Sequence, residues 1–572
     1  MSTPRHAHHL LSSAFFKKST FHMSESDRAL LSHERARAIG LSYALTIDDV
    51  LSLTPKFWHM HCDPIGLQDG AAMTLVTIQY NLTLGTIARY AKHRPELEPL
   101  LEELLQYRTQ GQFMLTEVGH GLDITNIETT ATLLPSGEFC LTSPTASSAK
   151  FMPPSVPVGL PSVAVIIAKL VVNGEDRGHR PFIVAINDGK SMCTGVQAKQ
   201  LPFRDGSSPL FHSIASFKNV RLPSAALLGT LDKPKNVHEN LMEIISRVSV
   251  GSLSVGCYAV PVLQGLATIG TLYSLRRQVG PPSKRVPILS FRTQKAVVLA
   301  TTANAYVVGA FQRWAIEQFR DARDRRVGRG IATVFKAVAV QLSQESVLAV
   351  SERCGAQGLF AHNRMVAWHT TLRGAAIAEG DVLGLSIRLI SDLLLGRCNL
   401  PPPQDPTSLL ALHEASLFDS LRAKFVSALD GGPASAASAI LPYCQPTVEA
   451  IGHRMAYDAA REHAVPAPLV DLFVARCLER DAAWYSESGG VSREEQRSRA
   501  SRAHDAAEPM LGALVVEMDV GEYVGAPIVS DERWAAFVDG LVVHEGNAQM
   551  DLFETGDLSL GDALKVLIGA RL

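Results

Sequence analysis

Cysteine is sparse in this 572-residue chain, and its eight cysteines are widely separated. No two of them form a Cys-x-x-Cys unit, the spacing that zinc knuckles and redox dithiols use. The sequence therefore indicates neither kind of site, and we expect reduced thiols in an intracellular compartment. The eight are Cys62, Cys140, Cys193, Cys257, Cys354, Cys398, Cys444 and Cys477.

An excess of one charge sign is also absent. Lys and Arg number 54 and Asp and Glu number 56, which gives a formal charge of −2. Nucleic-acid-binding domains and polybasic membrane anchors have a strong basic excess. The composition, with 46% apolar and 19% charged residues, is typical of a globular protein, and we expect no nucleic-acid partner.

No apolar run reaches the roughly 18–20 residues that a membrane span needs. The longest run, 296–311, is interrupted by Thr301, Thr302 and Asn304. It therefore predicts a buried helix, and no membrane span is expected.

The sequences at the two ends of the chain bear on where the protein is located in the cell. The N-terminus lacks the apolar segment of a secretory signal. The last three residues, Ala570, Arg571 and Leu572, fit the small–basic–Leu pattern of a peroxisomal address. The tail therefore predicts a peroxisomal protein, and without such a signal a cytoplasmic one would be expected.

Several common catalytic motifs are missing as well. No Gly-x-Gly-x-x-Gly opens a helix after a strand, and no P-loop occurs. His413 and His544 each precede a glutamate, but neither has the second histidine of a metalloprotease helix. Ser252 stands where a Gly-x-Ser-x-Gly motif around Ser254 needs its first glycine. Rossmann, hydrolase and zinc-protease sites therefore have no support, and no metal site is predicted.

Periodicity divides the chain into helical and β regions. Leucines at helical spacing characterise the first region, and short alternating runs separated by Gly, Pro, Asn and Asp characterise the second. The proline cluster at 401–406 cannot continue a helix and predicts a linker. The prediction is an α+β protein with a helical domain at 1–112, a β-barrel-like domain at 113–235, a helical bundle at 236–400, a linker at 401–407 and a second helical domain at 408–572.

Three sequence blocks occur in a fixed order where helices give way to strands. They read T-E-V-G-H-G at 116–121, I-E-T-T-A-T at 127–132 and L-T-S-P-T at 141–145. The acyl-CoA oxidase family has T-E-x-G-H-G, L-E-T-T-A-T and L-N-S-P-T at nearly this spacing, so the chain resembles that family. Further similar blocks are D-P-I-G-L at 63–67, R-R-Q at 276–278, F-R-T-Q at 291–294, R-C-G-A-Q-G at 353–358 and A-E-G-D at 378–381.

The resemblance implies a fold and a reaction. The implied fold has an N-terminal helical domain, a central antiparallel β domain, a four-helix bundle and an additional C-terminal helical domain. The implied reaction is α,β-desaturation of an acyl-CoA or other acyl thioester by FAD, with O2 as electron acceptor and H2O2 as product. The resemblance also implies a homodimer, because the family's flavin site borrows residues from a second subunit.

The resemblance assigns roles to particular residues. Glu379 falls on the family's catalytic glutamate, which takes the α-proton and whose backbone N–H helps to hold the thioester oxygen. Its apolar neighbours in 375–378 would raise the pKa of its carboxyl group by desolvation. The residues that fall on flavin-contacting blocks are Thr116, Gly121, Arg276, Gln294, Gly355, Gly358 and Gly380.

The sequence departs from the family at several positions. The family's W-W-P-G-G-L-G reads F-M-P-P-S-V-P at 151–157, so Pro154, which has no N–H, replaces a glycine beside the flavin. The family's acidic M-D-N signature is missing at 209–213. Val279, Gln357 and Val382 replace a phenylalanine, a histidine and an asparagine. These changes concern flavin geometry and substrate identity more than the fold.

Three readings therefore stay open. The first is a divergent acyl-CoA oxidase-like enzyme, acting on an unusual acyl group such as an intermediate of specialised metabolism. The second is a flavoenzyme of the same fold with different chemistry, which the retention of Glu379 disfavours. The third is a non-redox relative that serves as a binding or partner subunit, a reading that Pro154 supports.

Overall fold

The computed structural model describes residues 4–18 and 20–548. Its N-terminal part is helical up to residue 105. Local sequence explains the ends of these helices: Thr46 and Asp49 form a reciprocal capping box, and Pro99 lies in a first turn, where its missing N–H has no cost. The helices are α1 (Ala14–Lys17), α2 (Glu25–Tyr43), α3 (Ile47–Ser52), α4 (Pro55–Cys62), α5 (Gly70–Val76), α6 (Gly85–Ala91) and α7 (Glu98–Leu105).

Nine strands follow in two sheets, and the predicted antiparallel pairing is only partly right. The larger sheet has the order β1-β5-β2-β3-β9, with β6 paired to β5. In it β5 runs parallel to both β1 and β2, so the sheet is mixed. The smaller sheet has the order β4-β8-β7. The strands are β1 (Gln110–Met114), β2 (Thr130–Leu133), β3 (Phe139–Thr142), β4 (Lys150–Phe151), β5 (Ser162–Val172), β6 (Glu175–Asn187), β7 (Val196–Gln200), β8 (Ser213–Phe217) and β9 (Val220–Leu222).

Helices resume at Val237 and form a bundle in which α12 contacts α9, α10, α11, α13 and α14. Three helices cover 237–276. The last break between them lies at Tyr258, and Pro261 falls in the first turn of the helix that follows. Three more helices fill 325–394. The elements are α8 (Val237–Ile244), α9 (Arg247–Cys257), α10 (Ala259–Arg276), β10 (Gln278–Val279), β11 (Val286–Pro287), α11 (Arg292–Asp321), α12 (Arg325–Arg353), α13 (Met365–Ile377) and α14 (Val382–Leu394).

Two apolar segments lie inside this bundle. The stretch 296–311 belongs to α11 and is largely buried, as predicted. A second segment, Arg247–Arg276, is long and apolar enough to cross a membrane by composition alone, but 83% of its most apolar window is buried within the protein. Both segments therefore pack as core helices.

The C-terminal region is helical and packs on the bundle through α11. Arg454 connects it to the linker, because its guanidinium donates to Pro401 O and to the carboxylate of Glu414. The predicted peroxisomal tail lies outside the described residues. The helices are α15 (Leu409–Ser427), α16 (Pro433–Glu462), α17 (Ala467–Arg480), α18 (Ala482–Glu487), α19 (Arg493–Ala507), α20 (Leu511–Met518), α21 (Gly521–Val524) and α22 (Asp531–Asp539).

One buried ion pair holds the β region together. The side chains of Lys150 and Glu117 are both fully buried, with Nζ 3.0 Å from Oε1. Lys150 also donates to Leu115 O and Ile167 O. Glu117 accepts the backbone N–H groups of Glu128 and Thr129. The T-E-x-G-H-G block is thus fixed to the strand region that follows it.

We expect Lys150→Met to destabilise the protein by about 3–5 kcal/mol, because it leaves the Glu117 carboxylate buried without its countercharge. Urea denaturation would measure the loss. The matched control is Lys169→Met, whose partner Asp176 lies 3.8 Å away in a partly exposed pair; it should cost about 1 kcal/mol or less. Equal losses in the two variants would contradict this account.

Candidate active site

Glu379 lies in the short turn between α13 and α14. It has a positive φ of 58°, and Gly380 follows with a φ of 93°. A non-glycine residue in this region is strained, and such strain is concentrated at functional sites. Asp381 ends the turn as the N-cap of α14, accepting the Gly384 N–H at 3.1 Å. The A-E-G-D block therefore forms a tight connection that fixes the direction of the Glu379 side chain.

The Glu379 carboxyl group packs against the backbone of α9 at Gly251. A Cβ atom added to Gly251 would stand 2.5 Å from both Cδ and Oε2 of Glu379. Such a contact is too close for any real side chain, so only glycine at 251 leaves room for the carboxyl group in this position. No motif in the sequence had marked Gly251 as a site residue.

Two buried cations stand near this carboxyl group. Lys336 comes from α12 and Arg247 from α9, and both are buried. Burial raises the pKa of Glu379 to about 8, although Lys336 and Arg247 act in the opposite direction. Burial likewise lowers the pKa of Lys336 to about 8, against the attraction of Glu379 and Asp381. Glu379 is thus a carboxyl group whose proton exchanges near neutral pH, as a general base needs.

The backbone of the same turn is hydrogen-bonded to side chains of two other helices. Lys336 Nζ donates to Ala378 O and to Gly380 O, both at 2.5 Å. The hydroxyl group of Ser252 in α9 donates to Glu379 O. Neither Lys336 nor Ser252 was predicted as a site residue. The only signal for Lys336 is a lone charge within the apolar run V-F-K-A-V-A-V at 334–340.

Thr116 lies at the edge of the β region, next to the segment that departs from the family. Its carbonyl accepts the Phe151 N–H at 3.0 Å. Val118 and Phe151 are exposed, and nothing lies within 4 Å of the Cβ position of Gly121. This edge therefore presents apolar side chains and an open backbone.

The segment 151–157 is packed into the β region although it lacks the family's three glycines. Pro153, Pro154 and Ser155 are buried. Pro153 O accepts the N–H of Ser213 at 3.0 Å, and Pro154 O accepts the side-chain amide of Gln112 at 3.1 Å. The carbonyl groups are thus satisfied internally, and Pro154 contributes no donor to a cofactor.

The predicted glycine turn follows α12. Gly355 has a φ of 60° and nothing within 4 Å of its Cβ position, so the backbone there is open. Gly358 instead allows close packing, because a Cβ there would meet Ser351 O at 2.1 Å. Gln294 is buried and donates to Ser274 Oγ at 2.9 Å and to Arg353 O at 3.1 Å. Its amide nitrogen thus braces the end of α12 beside the turn.

Arg276 ends α10 and is engaged within its own chain. Its Nε is hydrogen-bonded to the Asp531 carboxylate of α22, and its guanidinium lies 5.9 Å from the centre of the Trp534 ring. Asp531 is almost fully exposed, so this ion pair is weak. An incoming anion could displace Asp531 at little cost.

These residues fit a flavin in their chemistry. Apolar side chains at Val118 and Phe151 suit an aromatic ring system, and the open backbone at Gly355 allows close approach. Arg276 supplies a cation for a phosphate group. Pro154 offers less than the family's glycine would, since it has no N–H.

Comparison with known proteins finds acyl-coenzyme A oxidases. Human peroxisomal acyl-coenzyme A oxidase 3 is 28% identical over 363 residues, which are 58% of this chain and 51% of that protein. The chain spans about half the length of the curated relatives it matches. No family model matches the chain.

Solved structures match almost the whole chain. Acyl-CoA oxidase 1 of Yarrowia lipolytica has a TM-score of 0.80 at 16% identity and covers 92% of this chain and 88% of its own. Acyl-CoA oxidase-1 of Caenorhabditis elegans, solved with FAD and ATP, has a TM-score of 0.76 at 16% identity and covers 97% and 91%. The predicted fold class is therefore confirmed, with the sheet corrected to a mixed one. The chain is thus similar in sequence to acyl-CoA oxidases over more than half of its length, and it has their fold.

Proposed function

We propose that this protein is an FAD-dependent oxidoreductase that desaturates an acyl thioester, with Glu379 as the base. The observation that carries the proposal is the position of Glu379, half-buried beside two cations in a strained turn of an acyl-CoA oxidase fold. A surface glutamate would have no such environment. A peroxisomal location belongs to the same proposal, because relatives are named peroxisomal.

The reaction needs a base and a site for negative charge. A proton α to a thioester is too weakly acidic for a carboxylate unless donors hold the developing enolate oxygen. Glu379 takes this α-proton through its carboxylate, and its own backbone N–H donates to the thioester oxygen. Bound FAD would supply the acceptor for the hydride from the β-carbon, leaving an α,β-unsaturated thioester, and would give both electrons a route to O2 with H2O2 as product.

Residues from separate parts of the chain would hold the cofactor. Thr116 and Gly121 lie on the β edge, and Gly355 and Gly358 form the turn after α12. Arg276 would exchange Asp531 for a flavin phosphate, in the second subunit of a homodimer. Gln294 supports the glycine turn through Arg353 O, and Gly380 allows the backbone path of the Glu379 turn.

The purified protein should contain, or bind after incubation, FAD with the visible absorption of an oxidised flavin. Anaerobic addition of a suitable acyl-CoA should bleach that absorption. A panel of straight, branched and functionalised acyl-CoA thioesters would identify the preferred acyl group. A protein that stays colourless after incubation with FAD and gel filtration would instead favour the non-redox reading that Pro154 supports.

Glu379→Gln should retain FAD and lower the rate of anaerobic flavin reduction by at least about 100-fold, because the amide cannot accept the α-proton. Stopped-flow absorbance would measure the rate. The matched control is Glu317→Gln on the exposed face of α11, which should react like wild type. A Glu379→Gln protein that is reduced at the wild-type rate would remove Glu379 from the role of base.

The rate of flavin reduction should rise with pH up to about 8 and then level off. Burial raises the pKa of Glu379 to about 8, so below this pH most of the protein carries the inactive, protonated carboxyl group. Single-turnover rates between pH 6 and 9.5, with protein stability checked at each pH, would measure the profile. A flat profile over this range would contradict a base with a raised pKa.

A further inference from the structure

Lys336 is a fully buried lysine whose ammonium group forms no direct ion pair among the described residues. Within the described chain, no carboxylate oxygen lies within the 4.0 Å ion-pair distance of its Nζ. An apolar side chain of similar length would fill this place without the cost of burying a charge. The ammonium group is instead used for two hydrogen bonds, to Ala378 O and Gly380 O, on either side of Glu379.

Ser252 completes these contacts from a second helix. Its hydroxyl group is buried and donates to Glu379 O, the carbonyl between the two that Lys336 holds. Three successive carbonyl groups of one turn are therefore bonded to side chains of α12 and α9. We call this pair of side chains the Lys336–Ser252 clamp. A turn with two successive positive φ angles persists only when its surroundings hold it in this way.

The clamp also determines where the Glu379 N–H points. In a trans peptide the N–H and C=O bonds of one peptide unit point in opposite directions. Because Ala378 O faces Lys336, the N–H of Glu379 must face away from α12. Among the described residues this N–H has no hydrogen-bond acceptor, so it is available to a ligand.

The charges around the Glu379 carboxyl group come from three places. Lys336 faces it from α12, Arg247 from α9, and Asp381 belongs to the same turn. Arg247 is already bonded through Nε to Asn81 O and through Nη1 to Val50 O. Lys336 is therefore the cation that contacts the turn itself and also favours the ionised form of Glu379.

We propose that the Lys336–Ser252 clamp is a positioning device that orients the Glu379 amide toward the thioester oxygen while Lys336 stabilises the Glu379 carboxylate. This role rests on the proposed function, since it requires a thioester bound at Glu379. Lys336 and Ser252 are positioning residues, because they act through the turn rather than on the substrate.

The test compares Lys336→Met and Ser252→Ala with wild type in the full-length protein. Lys336→Met removes two hydrogen bonds and the charge, whereas Ser252→Ala removes one hydrogen bond and no charge. The control is Lys424→Met on α15. The Lys424 ammonium group lies over the Tyr443 ring and forms no hydrogen bond or ion pair with the turn among the described residues. FAD content and thermal unfolding would be recorded for every variant.

The rate of flavin reduction should distinguish the contribution of Lys336 from that of Ser252. Lys336→Met should slow reduction by about 100-fold, the effect of losing an oriented oxyanion donor, and shift the pH profile upward. Ser252→Ala should slow reduction by roughly tenfold, the value of one hydrogen bond, and leave the pH midpoint unchanged. If the two side chains only stabilised the fold, the pH midpoint would not rise in Lys336→Met while it stayed unchanged in Ser252→Ala.

A bound thioester analogue gives a readout that does not depend on turnover. 3-Thiaoctanoyl-CoA has an acidified α-proton and sulfur in the β position, so it can ionise but cannot transfer a hydride. Its ionisation beside an oxidised flavin would be followed by long-wavelength absorbance. Both clamp variants should ionise it less readily than wild type, by about tenfold or more in Lys336→Met, and Lys424→Met should not differ.

Hydrogen exchange tests the clamp even where a variant binds FAD poorly. The amides to follow are those of Ala378, Gly384 and Leu385, whose N–H groups donate to Gly374 O, Asp381 Oδ1 and Asp381 O at the two ends of the turn. Both clamp variants should exchange these amides at least about tenfold faster than wild type. Unchanged exchange together with an unchanged analogue response would overturn the clamp alone. A wild-type protein that gives no flavin response to any thioester would overturn the proposed function, and the catalytic role of the clamp with it.

Discussion

The central constraint on this molecule is the burial of α12. This helix contacts α9, α10, α11, α13 and α14 and has apolar residues on nearly every side. Lys336 therefore has no route to water, and its ammonium must find acceptors within the bundle. The carbonyls of the α13–α14 turn are those acceptors, so the packing of one helix fixes the position of Glu379.

Glu379 itself reflects a balance between desolvation and nearby positive charge. Burial alone would hold its proton well above neutral pH, and the cations Lys336 and Arg247 bring the pKa back to about 8. The balance depends on close packing, because the carboxyl group rests against a glycine at 251 that admits no larger residue. The raised pKa of Glu379 therefore depends on how closely α9 packs against its carboxyl group.

The sequence predicted some features of the structure and missed others, depending on whether the interactions are local in the chain. The β character of the region 113–235 was visible because alternation and the residues of tight turns are local signals. The parallel pairing of β5 with β1 was not, because pairing between distant strands leaves no local trace. Glu379 was found only through its register with distant blocks. Lys336 was missed because the carbonyls that explain it lie 42 and 44 residues further along the chain.

The helix α11 has a consequence for the chain as a whole. One part of it supplies Val307, Val308 and Phe311 to the main core, and another supplies Val298, Leu299 and Ala303 to a cluster with α17, α19 and α20. One helix is thus shared by two hydrophobic cores. Unfolding of either core would expose one side of α11 to water. We therefore expect the two cores, and with them the regions on both sides of the proline linker, to unfold together, so that the helical bundle depends on the C-terminal helices for its stability.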